Sequence, residues 1–168
     1  MALAFDPDTI SFYDREAAPY ANSSQRSTHI DAFIAAVGTG AKILELGCGA
    51  GHDAEALIAA GIDVTATDAS SKLAAIASAR IGRPVRAMRF DEITDVDVFD
   101  GVWANACLLH VPVGSLAGVL ASVHASLRSG GVFYASFKAG DGEGRDRLGR
   151  YYNFPRRTGP VAIRGAVQ

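Results

Sequence analysis

Cysteine, net charge and long apolar runs are all scarce in this 168-residue sequence, and each scarcity removes a class of protein. Its two cysteines, Cys48 and Cys107, fit neither a disulfide framework nor a metal cluster. A net charge of −2 gives no electrostatic basis for binding nucleic acid or an anionic membrane. No apolar run reaches the length of a spanning helix, and the first residues, MALAFDPDT, lack the pattern of a signal peptide. We therefore expect a cytoplasmic protein without a metal, a nucleic-acid partner or a membrane partner.

Repeats and low-complexity linkers are also missing, and the length suits one domain. Apolar residues make up 49% of the chain and charged residues 20%, which is ordinary for a globular protein. We expect a single domain over residues 1–168. It would consist of an N-terminal helical cap at 1–40, a ligand-binding core at 41–137 and an irregular C-terminal segment at 138–168.

Strand and helix patterns alternate along most of the chain. Helices are predicted at Thr9–Tyr20, at Ile30–Val37 behind a capping box of Thr28 and Asp31, at Ser71–Ile81 and over Leu116–Leu127, ended by Gly130 and Gly131. Strands are predicted at Ile43–Leu46, Ile62–Thr67, Val85–Phe90, Gly101–Ala106 and Val132–Phe137. This alternation predicts the α/β class, a three-layer α/β/α sandwich with a mostly parallel sheet. In such sheets ligands bind beyond the carboxyl ends of the strands.

The segment ILELGCGAGHD, residues 43–53, carries the strongest functional signal. An apolar strand runs into Gly47, Gly49 and Gly51, which allow a sharp turn and let a ligand lie against the main chain. Asp53 then suits the cap of the following helix. Asp68 ends the next strand roughly 20 residues later, where a nucleotide-binding fold places a carboxylate on a ribose diol. Its alternative role is to cap the helix that begins at Ser71.

The loop does not match the common phosphate-binding patterns. A dinucleotide loop reads G-x-G-x-x-G, and His52 stands where its third glycine would fall. No Gly-Lys-Ser/Thr follows, so a Walker phosphate loop is excluded. A ligand with a ribose and a small zwitterion, but without phosphates, fits this loop better.

At these residues the chain resembles the class I S-adenosylmethionine-dependent methyltransferases, whose first motif is similar to ELGCGAG followed by an acid at the end of the second strand. The resemblance implies S-adenosyl-L-methionine as cofactor, methyl transfer as the reaction and a Rossmann-like sheet ordered 3-2-1-4-5. The cofactor contacts expected from it are Glu45, Gly47, Cys48, Gly49, Gly51, Asp53, Asp68, Ala69, Phe90, Asp91 and Asn105. Two alternatives stay open: a catalytically silent binding or interaction domain, and an NAD-dependent reductase, which His52 disfavours.

Asp91 and His110 are two further candidates for the expected site. The resemblance implies that Asp91 meets the adenine amino group beside Phe90, although Asp91 also begins an acidic, solvated stretch. The Asn/Asp-Pro-Pro-Tyr/Phe motif of enzymes that methylate base amines is missing after the fourth strand, which favours a small-molecule acceptor. His110 follows that strand and suits a general base or a purely structural role.

Two further groups are candidates for holding the acceptor. Tyr13 and Tyr20 lie on the first predicted helix, which resembles the helix that covers the cofactor in related enzymes, or they form one packed face. Arg145 and Arg150 follow the fifth strand in a glycine-rich segment, where they would bind an anionic acceptor or simply face solvent.

The resemblance ends after the fifth strand, where family members add a helix and two further strands. We expect a reduced or missing C-terminal hairpin, as in a truncated chain, with at most one short strand near 161–163. Val132–Phe137 would then be an edge strand, which the tail at 151–168 covers or which pairs with a second copy in a homodimer.

Overall fold

Helices and strands alternate over residues 30–135, and among the residues that the structure describes two more helices precede this part and three more strands follow it. The computed structural model describes residues 3–154 and 163–164. The strands are β1 (Lys42–Glu45), β2 (Asp63–Asp68), β3 (Arg86–Ala87), β4 (Phe99–Ala104), β5 (Leu127–Ala135), β6 (Gly142–Arg145), β7 (Tyr151–Phe154) and β8 (Ile163–Arg164). The helices are α1 (Pro7–Arg15), α2 (Ala17–Ser23), α3 (Ile30–Val37), α4 (His52–Ala59), α5 (Ser71–Ile81) and α6 (Val113–Ser126), with 3₁₀ turns at Phe90–Glu92 and Leu108–His110.

The central sheet has the strand order β3-β2-β1-β4-β5-β8. The first five strands in this order pair in parallel, and β8 pairs antiparallel with β5. The predicted order 3-2-1-4-5 and the α/β class are therefore confirmed. The order reverses beside β1, and the glycine loop begins at the carboxyl end of that strand, where open parallel sheets bind ligands.

Helices cover both faces of the sheet because successive strand residues point to opposite sides. Leu44 and Val102 face α6, where they share a core with Val119 and Val123. Their chain neighbours Ile43 and Trp103 face the other layer and pack with Ile30 and Phe33 of α3 and Leu57 of α4. Burial of each such large side chain stabilises the fold by about 1.5–3 kcal/mol. The three-layer sandwich is thus present as predicted.

The N-terminal helix is broken into two pieces, unlike the single helix predicted over Thr9–Tyr20. The break falls at Glu16, and α2 carries Pro19 in its first turn. Proline lacks an N–H and its ring would clash with the carbonyl four residues earlier, so one continuous helix is not possible here. The chain bends at this point, and both pieces lie over the carboxyl ends of the strands.

The predicted capping box of α3 does not form. Helix α3 has His29 at its N-cap without a side-chain cap, and Asp31 pairs with Arg26 at 2.7 Å. Thr28 lies one residue too early to cap a helix that begins at Ile30.

Strand boundaries also differ from the predictions. Only Arg86–Ala87 of the predicted strand Val85–Phe90 pairs, because the chain turns at Phe90–Glu92, where the Arg89 N–H donates to Glu92 Oε2 at 2.8 Å. The predicted end of the last helix at Gly130 and Gly131 is also wrong, because that helix ends earlier, at Ser126.

Helix α6 ends at Ser126, and β5 starts at once and contains Gly130 with φ +77°. An irregularity there shifts the register between Phe99 and Gly101 of β4.

Residues 138–154 contain regular structure, whereas the sequence predicted an irregular segment over 138–168. Strands β6 and β7 form an antiparallel hairpin. Strand β8 pairs with Val132 and Phe133 of β5. The tail therefore covers the predicted edge strand at these two residues, as one of the two expectations had it, and the predicted homodimer through that edge stays a prediction. Within the predicted cover of 151–168, Tyr151–Phe154 pairs with β6 instead of β5, and residues 155–162 and 165–168 lie outside the described residues.

Candidate functional site

The glycine loop after β1 is shaped mainly by its own packing. Gly47 has φ +60°, and a Cβ there would lie 2.5 Å from Cys107 Cβ. Gly51 has φ +86°, and its Cβ would lie 3.0 Å from Ala77 Cβ. Side chains at these two positions would displace the loop from its neighbours. Gly49 differs, because a Cβ there would lie 3.3 Å from the ring of Tyr20, which belongs to α2.

Asp68 at the end of β2 is the acid held closest to this loop. Its Oδ2 accepts from Gly49 N and its Oδ1 from Ser70 N, both at 2.8 Å. Burial raises the pKa of this carboxyl to about 6, although the two backbone N–H groups oppose the rise. The cap of α5 is Ser70, which accepts from Leu73 N at 3.1 Å. Asp68 therefore does not cap α5, and it lines a groove over the carboxyl ends of the strands.

A groove runs over the carboxyl ends of the strands, and its empty space, part of which is open to solvent, is about 710 Å³. The predicted site residues that line it are Tyr13, Tyr20, Gly47, Gly49, Asp68, Ala69, Phe90, Asn105 and His110. Residues that the sequence did not single out also line it: Phe5, Asp6, Thr9, Ile10, Ser70, Leu73, Arg89, Ala106 and Cys107. Four of these nine, Phe5, Asp6, Thr9 and Ile10, belong to the N-terminal segment that leads into and begins α1, and the pattern of that segment alone does not place it over the sheet.

A smaller pocket of about 390 Å³ continues this groove past the glycine loop. The two spaces share Tyr20, Gly47, Gly49 and Asn105. The predicted residues Glu45, Cys48 and Asp53 line the smaller pocket. Gly51, by contrast, lines neither space and serves the packing of the loop.

Two buried carboxylates face the smaller pocket. Glu45 is 2% exposed, its Oε2 has no hydrogen-bond partner among the described residues, and burial raises its pKa well above the usual range. Asp53 does not cap α4 as predicted, because it accepts instead from Trp103 Nε1 at 3.0 Å and Ser27 N at 2.7 Å. The charges of Asp53 and Asp68 add to the rise of the Glu45 pKa, and a cationic ligand in this pocket would favour the ionised form of Glu45.

The turn after β4 is strained at the groove. Ala106 has φ +50°, a region that residues with a Cβ rarely adopt. Ser136 holds it, since Ala106 N donates to Ser136 Oγ at 2.7 Å and that hydroxyl donates to Asn105 Oδ1 at 2.8 Å. Strained residues of this kind cluster at functional sites. No pattern in the sequence pointed to Ser136.

Phe90 and Asp91 are separated by the structure. Phe90 lines the groove, whereas Asp91 does not and pairs with Arg89 Nε at 2.9 Å. Arg89 itself lines the groove and lies over the ring of Phe5. The predicted contact of Asp91 with an adenine amino group therefore finds no support in this geometry.

His110 is fixed at both ring nitrogens. Its Nδ1 lies 2.6 Å from the carbonyl oxygen of Tyr151, and its Nε2 lies 3.0 Å from Tyr13 Oη. Burial lowers the pKa of the ring to about 4, against the effect of the Tyr151 carbonyl. The ring is therefore neutral at pH 7, as a base must be, but Tyr13 occupies the nitrogen that would accept a proton.

The two arginines predicted to bind an anion are engaged elsewhere. Arg145 forms two hydrogen bonds with the carboxylate of Asp6 at 2.6 and 3.0 Å. Arg150 donates to Asp146 at 2.7 and 3.0 Å and to Tyr13 Oη at 3.0 Å. Neither side chain lines the groove. Both instead tie the hairpin β6–β7 to α1, so their predicted contact with an acceptor is not supported.

The chain matches the family model described as a methyltransferase domain over residues 44–133, more than half of its length. The chain belongs to the methyltransferase domain family. This match contains the glycine loop, Asp68, the strained turn at Ala106 and His110. The groove-lining residues of α1 and α2, and the hairpin that is hydrogen-bonded to α1, lie outside it.

Similar proteins extend the comparison. A 1,6-didemethyltoxoflavin-N1-methyltransferase from Burkholderia thailandensis, seen with 1,6-didemethyltoxoflavin and S-adenosylhomocysteine, is 27% identical with a TM-score of 0.70, covering 88% of this chain and 68% of its own. The N-methyltransferase NodS of Bradyrhizobium japonicum, at 20% identity and TM-score 0.65, covers 84% and 75% and shares the fold. Hemagglutinin 1 of Eikenella corrodens is 36% identical over 97 residues, and this chain spans about a third of its length.

Metal and membrane features are absent from the part of the methyltransferase domain that the structure describes. No group of three or more His, Cys, Asp or Glu side chains there is placed to hold a metal ion. Both cysteines are buried, and burial raises the pKa of each thiol. No helix in residues 3–154 is long and apolar enough to cross a bilayer.

Proposed function

We propose that this methyltransferase domain binds S-adenosylmethionine and transfers its methyl group to a small-molecule acceptor. The observation that carries the proposal is the placement of Asp68, which Gly49 N and Ser70 N hold at 2.8 Å beside the glycine loop, in the groove over the carboxyl ends of the strands. Each Asp68 oxygen accepts one backbone hydrogen bond, and each retains capacity to accept from a ribose hydroxyl.

The residues fit the two ends of this cofactor. Asp68 binds the ribose, and Phe90 with Leu73 supplies apolar walls for the adenine in the larger space. Glu45 and Asp53 lie in the smaller pocket, where the unpartnered Glu45 Oε2 suits the ammonium of the methionine end. When bound, the cofactor supplies a methyl group on a positively charged sulfur, and the three nearby carboxylates favour that charge.

The opposite wall of the larger space suits the acceptor. Tyr13, Ala106, Cys107 and His110 line it without a salt bridge or a basic patch. The relative from Burkholderia thailandensis has both a small heterocycle and S-adenosylhomocysteine bound at 27% identity. This similarity supports a small molecule, rather than nucleic acid, as the acceptor of this chain.

Calorimetry with S-adenosylhomocysteine, followed by turnover of S-adenosylmethionine with a panel of small acceptors, tests the proposal. We expect binding at micromolar concentrations and formation of S-adenosylhomocysteine with at least one acceptor. Binding without turnover of any acceptor would favour the silent binding domain instead. Tight binding of NAD, with no binding of S-adenosylhomocysteine, would overturn the cofactor assignment.

A further inference from the structure

A chain of hydrogen bonds follows the acceptor wall of the groove and has a fixed direction. Arg150 Nη1 donates to Tyr13 Oη at 3.0 Å, Tyr13 Oη lies 3.0 Å from His110 Nε2, and His110 Nδ1 lies 2.6 Å from the Tyr151 carbonyl. A carbonyl only accepts, so Nδ1 carries the ring hydrogen and Nε2 carries a lone pair. The Tyr13 hydroxyl therefore donates to Nε2.

Tyr13 Oη retains the capacity for one more hydrogen bond. Its proton points to His110, one lone pair accepts from Arg150, and a second lone pair is left. Tyr13 and His110 both line the groove, on the wall that we assign to the acceptor. An N–H or O–H of a molecule in the groove can therefore donate to Tyr13 and complete its hydrogen bonding.

We propose, on the basis of the proposed methyl transfer, that Tyr13 receives the proton of the acceptor while passing its own proton to His110, and that the acceptor is an uncharged, planar molecule with an N–H or O–H at the reacting atom. His110 acts through Tyr13, and Arg150 and the Tyr151 carbonyl position the two rings.

Protons and electrons balance in this scheme. The lone pair of the acceptor nitrogen or oxygen forms the bond to the methyl carbon, and the electron pair of the carbon–sulfur bond stays on sulfur, which leaves as S-adenosylhomocysteine. The acceptor proton moves to Tyr13 Oη, and the former Tyr13 proton moves to His110 Nε2. His110 is then doubly protonated, with Nδ1–H on the Tyr151 carbonyl, and it returns the extra proton to solvent after the products leave.

The surroundings of His110 decide which acceptors can give up a proton to it. The rings of Tyr13 and Tyr152 pack on the imidazole, the cations Arg150 and Lys138 lower its pKa, and Asp146 raises it. Burial is the largest cause, and the result is a pKa of about 4. So weak a base takes a proton from a methylated hydroxyl or aromatic nitrogen, which becomes strongly acidic as it gains positive charge.

Aliphatic amines do not suit this site. They are protonated at neutral pH, with a pKa near that of lysine, roughly 10. They must lose that proton before they can attack, and His110 cannot remove it. The acceptor wall agrees with a flat acceptor, since Tyr13 contributes an aromatic ring to it and His110 an imidazole.

The first test is nuclear magnetic resonance of the protein labelled with ¹⁵N-histidine, without any ligand. We expect a neutral His110 ring with hydrogen on Nδ1 at pH 7, and a shift of the Nε2 resonance in Tyr13→Phe, which removes the hydroxyl alone. The exposed His124 of helix α6 provides the control, because His124→Asn should leave the His110 resonances in place. Hydrogen on Nε2, or an Nε2 resonance unmoved by Tyr13→Phe, would overturn the proposal.

The second test uses labelled S-adenosylmethionine with two sets of acceptors. The planar set is 1,6-didemethyltoxoflavin, xanthine and catechol, and the aliphatic set is ethanolamine, putrescine and spermidine. We expect transfer only to planar compounds, with kcat at least tenfold lower in Tyr13→Phe and His110→Asn and S-adenosylhomocysteine affinity within threefold of wild type. Transfer to aliphatic amines, or to none of the planar compounds while S-adenosylhomocysteine still binds, contradicts the inference. If the wild-type protein does not bind S-adenosylhomocysteine at all, the proposed function itself is contradicted.

Discussion

Asp68→Ala is the substitution that separates ligand binding from folding in this domain. It removes the oxygens that accept from Gly49 N and Ser70 N and that we assign to the ribose. Two charge-assisted hydrogen bonds contribute about 1.5–3 kcal/mol each, and water replaces part of them. We expect S-adenosylhomocysteine to bind about 10–100-fold more weakly, a loss of about 1.4–2.8 kcal/mol.

The pH dependence of binding provides a second measure of the same carboxylate. The ribose hydroxyls donate to the ionised form, whereas the free protein holds a proton on Asp68 below its pKa of about 6. Lowering the pH from 7 to 5 should therefore weaken binding to the wild type by about tenfold, because the proton must leave first. Asp68→Ala should lack this component.

Calorimetric titration at pH 5 and 7 measures both effects. Asp63→Ala is the matched control, because Asp63 lies at the exposed far end of the same strand. Circular dichroism of each variant verifies that it is folded. An affinity of Asp68→Ala within threefold of wild type, in a folded protein, would refute the assignment of Asp68 to the ribose.

Three other predictions concern stability and protonation. Gly47→Ala should lower the melting temperature by several degrees, since its Cβ would meet Cys107 Cβ at 2.5 Å, whereas Gly114→Ala, at an open helical position, should not lower it in the same thermal scan. Asn153→Ala should lower the free energy of unfolding, measured in urea, by about 1–3 kcal/mol, because the carbonyls of Leu108 and Val111 each lose a buried hydrogen bond. Titration by nuclear magnetic resonance should find His110 neutral down to about pH 5, since its pKa is about 4 instead of 6.5. Between these values the unfolded chain binds the proton and the folded chain does not, so this group favours unfolding as the pH falls.

The sheet and the cofactor loop could be predicted because their causes are local. Each strand of the core has its own apolar run, and the loop has glycines where the backbone takes positive φ, as at Gly47 and Gly51. Asp68 follows from its place at a strand end. These signals need only a few neighbouring residues, and the parallel order then brings the strand ends together.

The cover of the groove could not be predicted, because its causes are distant in sequence. Whether Arg150 meets an acceptor or Tyr13 depends on a contact across 137 residues. Ser136 holds the turn after β4 through its hydrogen bond to Asn105, which follows a different strand and lies 31 residues away in the sequence. The pattern of one segment carries no information about such pairs.

The ties between α1 and the hairpin β6–β7 have a consequence for the order of folding. Asp6 with Arg145, Thr9 with Tyr151, and Tyr13 with Arg150 join residues 137–142 positions apart. Contacts of such long range form only after large loops have closed. The α/β core can therefore fold during synthesis while its groove is still open at one wall. The acceptor wall is completed last, once residue 151 has been made and can return to the first helix.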